Sequence, residues 1–375
     1  MKRLIPFAVL ASLAVVACGS SSKSSSTPPS TAVTPTTASA TALNIGNPTT
    51  PVSLNEDGSS LLYPFLLELV GPLHTAYPNI TLATAAGGSG KGISDAEVGN
   101  VQMGGSDAYL SPGDMTKYPG LENVPIAISS QAINYNLPGV TNLKLSGNVI
   151  AQIYQGTITS WNAPAIAALN SGVPLPPTRI VPVRRVDGSG DTFIFTSFLS
   201  ATNTTWASGP SFDTTVPWPP VSNELSADGN PGMVQTCHTT PGCIAYVGIS
   251  EESAALAAGL GEAELQNEAM NFVLPSATTI ESAVAAGVGS VPANLAAPLI
   301  YEPGAQSYPI VNFEYLVVKD TQSSAAVAQA IRTFLVWASS PTGGSTPSYL
   351  AAKDFEALPT SVVAKADAVI TKISG

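Results

Sequence analysis

The sequence predicts an α/β protein built as two lobes. Strand-like and helix-like segments alternate along it, the pattern of α/β layers with mostly parallel sheets. The folded body, from about Ser53 to Gly375, is long for one hydrophobic core and suits two. Gly and Pro number 32 each and fall at the ends of the periodic segments, so many short connections are expected.

The chain opens with Met1-Lys2-Arg3 and an apolar run from Leu4 to Val16, followed by Ala17-Cys18. A basic start, an apolar stretch and small residues before a cut read as a secretory leader. The run is short of the ~20 residues that a spanning helix needs. Cysteine directly after Val15-Val16-Ala17 matches the bacterial lipobox. Residues 1–17 are therefore expected to be a lipoprotein signal peptide and Cys18 to carry a diacylglyceryl thioether, anchoring the chain on the extracytoplasmic face of the cell membrane. Residues 18–52 are rich in Ser, Thr, Pro and Ala, with Lys23 their only charge. Such a segment buries too little apolar surface to offset its ordering entropy and is expected to be a disordered tether. No later stretch reaches spanning length, so the rest is expected to be soluble.

Within the body, residues 60–77 place Leu62, Phe65, Leu66, Leu69 and Leu73 at helical spacing. Residues 192–200 and 324–339 are further helix predictions. Strands are predicted at 80–83, 101–104, 131–136, 180–183, 244–248 and 310–318, the last rich in β-branched and aromatic residues. The Gly/Pro-rich stretch 208–232 reads as a surface loop.

The formal charge is −11, and loss of Lys2 and Arg3 with the leader takes it to −13. So acidic a protein does not attract nucleic acid, or any anion, through its overall field. Beyond Cys18, Cys237 and Cys243 bracket a Pro-Gly turn and, outside the cytoplasm, are expected to form a disulfide. The alternative is a metal site with His238, for which no Cys or His cluster exists: the other histidine is His74. No metal and no cofactor are expected.

Three segments combine a small Ser/Gly turn with a following helix: Asp57-Gly58-Ser59-Ser60-Leu61, Gly87-Gly88-Ser89-Gly90-Lys91-Gly92, and Arg185-Val186-Asp187-Gly188-Ser189-Gly190-Asp191-Thr192. A helix start offers unpaired N–H groups and partial positive charge, so it receives anions. Glycine permits close backbone approach, and serine adds a hydroxyl. Each turn taken singly is better explained as plain helix capping. A fourth segment, Gly104-Gly105-Ser106-Asp107-Ala108, sets Asp107 at the end of a predicted strand, where α/β sheets place ligands and where a turn-forming Asp is also common.

Taken together, these segments resemble the phosphate-binding proteins of bacterial phosphate ABC transporters, the PstS family, near its actinobacterial lipoprotein branch. The resemblance covers nearly the whole mature body and includes Trp161, Asn134-Tyr135-Asn136-Leu137-Pro138-Gly139 and Pro241-Gly242-Cys243-Ile244-Ala245-Tyr246. It implies a type II periplasmic-binding-protein fold with two crossover strands and a ligand cleft between the lobes. Residues 53–132 and 308–375 would form one lobe, and 133–307 the other. It implies phosphate ligands at Ser59, Ser60, Leu61, Ser89, Asp107, Arg185, Ser189, Gly190 and Asp191, with Ser60 and Leu61 acting partly through backbone N–H groups. Many family members carry Thr where this chain has Asp191, which leaves a backbone contact there and the side chain's role open. Asp187, two residues after Arg185, is placed to orient the guanidinium. Asp107, as an ionised acceptor, would accept a hydrogen bond from the P–OH of phosphate and reject unprotonated sulfate. The implied partners are inorganic phosphate and the permease subunits of an ABC transporter, with the protein itself a monomer.

Three other readings stand beside this one, of which a surface adhesin or antigen with a vestigial pocket is the first. A secreted phosphatase or other hydrolase needs a nucleophile with its base, or a metal pair, and neither histidine stands near a serine motif. Gly88-Ser89-Gly90-Lys91-Gly92 lacks the Ser or Thr that follows Lys in a P-loop. A receptor for another oxyanion, such as sulfate or molybdate, would gain nothing from Asp107.

Overall fold

The computed structural model describes residues 43–375; the leader, Cys18 and the tether as far as residue 42 lie outside the described residues. The tether's expected end at residue 52 is too late. Arg332 Nε donates to the Leu43 carbonyl, Gly46 N to Thr333 Oγ1, and Asn79 N to Asn47 Oδ1. Residues 43–51 are thus tied to the body by hydrogen bonds to distant side chains, which composition does not reveal.

In chain order the strands are β1 (Val52–Gly58), β2 (Ile80–Ala83), β3 (Met103–Ser106), β4 (Leu121–Tyr135), β5 (Lys144–Leu145), β6 (Val181–Arg185) and β7 (Leu225–Ala227). They continue with β8 (Cys243–Gly248), β9 (Gly261–Glu262), β10 (Glu264–Gln266), β11 (Phe272–Val273), β12 (Leu299–Ile300) and β13 (Ile310–Lys319). The main sheet runs β2-β1-β3-β13-β4-β8-β6-β7. Its two ends are parallel, β2-β1-β3 on one side and β8-β6-β7 on the other. The middle is antiparallel, because β13 and β4 are the long strands that pass between the two halves. Residues 121–130 of β4 lie against β13, and residues 131–135 lie against β8. One strand therefore belongs to both halves, and the sheet is shared by two lobes. The short β5, β10 and β11 form a separate small sheet.

The helix Tyr63–Ala76 buries Phe65, Leu66, Leu69 and Leu73, four of the five residues that predicted it; Leu62, its N-cap, is buried too. Pro64 stands in its first turn, where a missing N–H costs nothing. The helices Gly190–Thr202 and Ala325–Ala338 also match expectation. Two readings change. The strand predicted at 131–136 is the last third of the fifteen-residue β4, whose start carries Glu122, Asn123 and Pro125 and so hides its strand character. The loop predicted at 208–232 contains β7 and the first turn of the helix Gly229–His238, which begins at a left-handed Gly229. Gly229 and Pro231 start the helix, while Gly209, Pro210, Pro217, Pro219 and Pro220 lie in the irregular chain before β7. Cys237 and Cys243 form a disulfide. Among the described residues no helix is long and apolar enough to cross a membrane.

Candidate functional site

The predicted residues sit where parallel strands end. β1 ends at Gly58, followed by Ser59 and Ser60; β3 ends at Ser106, followed by Asp107; β6 ends at Arg185 itself. These are the carboxyl ends of strands from both halves of the sheet, where α/β folds collect their ligands. The helix Ser89–Val98 starts beside them, and Ser189 caps the helix Gly190–Thr202 by accepting from Thr192 N at 3.2 Å. Ser59, Ser60, Leu61, Ser89, Asp107, Arg185, Ser189 and Asp191 are all buried.

Two clusters meet there. In the first, Ser59 Oγ donates to Asp107 Oδ1 and accepts from Leu61 N and Leu62 N, each at 3.0 Å. Ser89 Oγ accepts from Asp107 N at 3.2 Å and lies 3.4 Å from Asp107 Oδ2. Asn312 Nδ2 donates to the Asp107 carbonyl. In the second, Asp187 grips Arg185 through two bonds, Nε to Oδ1 at 2.7 Å and Nη2 to Oδ2 at 2.5 Å. Arg185 Nη1 reaches Asp191 Oδ2 at 2.7 Å. A two-point grip fixes a planar guanidinium in orientation as well as position. Burial opposes the charge on Arg185, but Asp187 and Asp191 outweigh it and hold the group above its ordinary pKa.

The clusters are joined across the lobes. Gly90 N donates to the Gly188 carbonyl at 2.8 Å, and Asn230 N donates to Ser60 Oγ at 3.1 Å. A Cβ on Gly190 would overlap Asp107 Oδ2 and Ser89 Oγ. Gly88, with φ of 89°, is in the left-handed region, and a Cβ there would come within 2.6 Å of Asp187 Oδ2. Glycine is what allows these turns to touch.

Burial first, and then the negative charge of Asp191, push the Asp107 carboxyl up to about 7, against the pull of Glu314, Ser59 and Arg185. Burial also lifts Asp191, while Arg185, Gln131 and Asn230 pull it down. Both oxygens of Asp191 are engaged: Oδ1 by Gln131 Nε2 at 3.1 Å, Oδ2 by Arg185 and by Asn230 Nδ2 at 2.7 Å. Lys91, by contrast, is half exposed and pairs with Asp57 and Asp95.

Sequence reading missed Asn230, Gln131, Ser129 and Glu314. Asn230 fell in the stretch read as loop. Gln131 and Glu314 left a visible signal, clustered polar residues inside strands otherwise rich in apolar ones, in Ser129-Ser130-Gln131 and in Asn312-Phe313-Glu314. The two histidines lie elsewhere, His74 Nδ1 at 3.2 Å from the Ile80 carbonyl and His238 Nδ1 at 2.7 Å from that of Ala258.

Two lobes sharing a sheet, with Ser/Gly-bearing helix starts facing one another across the junction, have the plan of a solute-binding protein. A family model described as a PBP superfamily domain matches residues 26–342. A Phosphate-binding protein PstS of Methanocaldococcus jannaschii is 32% identical over 295 residues, 73% of this chain and 75% of that one. The Phosphate-binding protein PstS3 of Mycobacterium bovis is 33% identical over 300 residues, 76% of this chain and 77% of its own. Among solved structures, a phosphate-binding protein from Stenotrophomonas maltophilia superimposes with TM-score 0.64 at 20% identity, covering 84% of this chain and 93% of that one. A putative phosphate ABC transporter substrate-binding protein from Clostridium perfringens gives 0.58 at 18%, over 82% and 100%. The chain belongs to the PstS family of the periplasmic-binding-protein superfamily.

Proposed function

We propose that this protein captures inorganic phosphate outside the cytoplasm and delivers it to the membrane subunits of a phosphate ABC transporter. The observation that carries this is the convergence of a buried, pre-oriented Arg185 with three serine-bearing turns and Asp107 at the junction of the lobes. A tetrahedral anion there would take charge-assisted bonds from Arg185 and further bonds from Ser60, Ser89, Ser189 and the backbone N–H groups of Gly190 and Asp191; the Ser59 hydroxyl, which donates to Asp107, and the Leu61 N–H, which donates to Ser59 Oγ, would have to exchange those partners for the anion. Asp191's engaged side chain leaves its backbone as the group to offer. Asp107 faces the anion as an acceptor and receives a hydrogen bond from the P–OH group.

Binding and release require the lobes, residues 53–132 with 308–375 and residues 133–307, to part and close about β4 and β13. The closed, loaded form would be the one the transporter recognises. We further propose a lipid anchor at Cys18, a tether from there to about residue 42, and a monomer held at the extracytoplasmic membrane face. The named relatives are binding proteins, and the distance of both histidines from the site supports a binder rather than a hydrolase. Calorimetric titration of the chain carrying Cys18→Ser with phosphate and with sulfate tests the reading. Saturable, one-to-one binding of phosphate that sulfate does not displace is expected; the absence of phosphate binding overturns it.

A further inference from the structure

Glu314 is a carboxyl group in the middle of β13 with no exposure, and the phosphate reading above gives it no task. Its Oε1 accepts from Ser129 Oγ of β4 at 2.5 Å. Its Oε2 is buried and finds no donor among the described residues. The antiparallel register of β13 on β3, with Tyr315 opposite Ser106, brings Glu314 beside Asp107, close enough for each carboxyl to act on the other. Two carboxylates are acceptors only, so a bond between them requires that one hold a proton. An unpaired charge at Glu314 would be costly in so dry a place. The two differ in compensation. Asp107 has the Ser59 hydroxyl, the distant Ser89 hydroxyl and the field of Arg185 to support a charge; Glu314 has Ser129 alone.

Resting on the phosphate reading, we infer that Glu314 holds a proton and donates it in a hydrogen bond to Asp107, and so keeps Asp107 an ionised acceptor toward the anion. Glu314 is thus a specificity-determining positioning residue that does not itself touch the ligand. The groups facing it agree with this assignment. Asp107 beyond β3 and Asp191 on the helix Gly190–Thr202 are negative, Arg185 of β6 stands behind them, β4 presents Ser129, and the Tyr315 hydroxyl is turned to the carbonyls of Leu295 and Ala297. Burial, followed by the charge of Asp107, holds Glu314 well above the usual carboxyl range. Removing the donor would raise the proton affinity of Asp107, turn it from acceptor to donor near neutral pH, and admit sulfate.

Two substitutions separate this from a packing role. Glu314→Gln keeps a donor for Asp107 and an acceptor for Ser129. Glu314→Met keeps the volume and supplies no donor. Phosphate and sulfate affinities are measured by calorimetry across pH on the chain carrying Cys18→Ser. Infrared difference spectra of wild type against Glu314→Gln, without added anion, read the neutral carboxylic acid carbonyl band directly.

The expected result is a neutral acid band near pH 7 that Glu314→Gln removes. Preference for phosphate over sulfate should hold within about threefold in Glu314→Gln and fall on the order of tenfold in Glu314→Met. Wild-type phosphate affinity should decline at alkaline pH, where Glu314 ionises beside Asp107, and that decline should be absent in Glu314→Gln. Ionised bands at Glu314, equal impairment of both variants, or unchanged selectivity in Glu314→Met overturn the inference. If Glu314→Met does not fold, the infrared band and the pH profile of Glu314→Gln decide. Wild type that shows the band but binds no phosphate sinks the phosphate reading, and the selectivity role with it, while leaving the shared proton established.

Discussion

Asp107→Asn tests discrimination between two anions of nearly equal size and shape. Asp107 is 1% exposed; the Ser59 hydroxyl donates to its Oδ1, Ser89 approaches its Oδ2 at 3.4 Å, and the proton assigned to Glu314 supports the carboxylate from behind, which leaves a lone pair for the anion. Phosphate brings a proton to that lone pair; sulfate brings a lone pair of its own. Leaving a buried charged acceptor without a donor costs about 3 kcal/mol. At about 1.4 kcal/mol per decade, that is roughly hundredfold in affinity. Asparagine can turn its amide to donate to either anion, so the preference should shrink to within about threefold, mostly through tighter sulfate binding. The carboxyl's own titration adds a second arm. Burial and then Asp191 raise it to about 7, so above that pH it only accepts, and below it carries a proton it can give to sulfate. Wild-type discrimination should therefore weaken as pH falls through about 7, while that of Asp107→Asn stays flat. Competition calorimetry at several pH values measures both. An asparagine variant that rejects sulfate as wild type does, or wild-type selectivity that ignores pH, refutes the assignment.

Three more outcomes follow from the geometry. Gly190→Ala places a methyl group on Asp107 and Ser89, so phosphate affinity should fall at least tenfold while unfolding stays cooperative; wild-type affinity would mean that the close approach is not used. Burial raises the Glu56 carboxyl from 4.5 to about 8, despite Thr84 and the backbone N–H groups of Ala85 and Gly105. Because its folded pKa is the higher one, its contribution is whole below pH 4.5 and is lost as pH rises through about 8, roughly 5 kcal/mol in all. Glu56→Gln should flatten the decline in urea midpoints between pH 4.5 and about 8, and an unchanged slope there contradicts it. Replacing Cys237 and Cys243 together by Ser opens a loop of sequence separation 6 and should cost about 2 kcal/mol in urea unfolding; equal stability would show that the disulfide constrains nothing in the unfolded chain.

What the sequence could convey followed from the range of the interactions. Each serine turn announced itself, because capping is local: Ser189 accepts from a backbone three residues on, and Arg185 is held by Asp187 two residues away. The apolar spacing of residues 65–73 was likewise enough for a helix. Asn230 was hidden because its bonds to Ser60 and Asp191 span 170 and 39 residues, and nothing near it in the chain hints at either. The start of β4 was hidden for a related reason: Glu122, Asn123 and Pro125 look unlike a central strand until β13 pairs with them.

By itself the chain determined its local chemistry: which turns start helices, which strand ends bear Asp107 and Arg185, and which family those motifs resemble. Tertiary structure alone decided that turns from two halves of one sheet close on each other, that Asp191 spends its side chain on Arg185, Gln131 and Asn230, and that Glu314 stands behind Asp107. The physical reason is desolvation. An acid's proton affinity and a hydroxyl's free valence depend on who its neighbours are once water is excluded, and for Asp191 and Glu314 those neighbours include residues 39, 60 and 185 positions away.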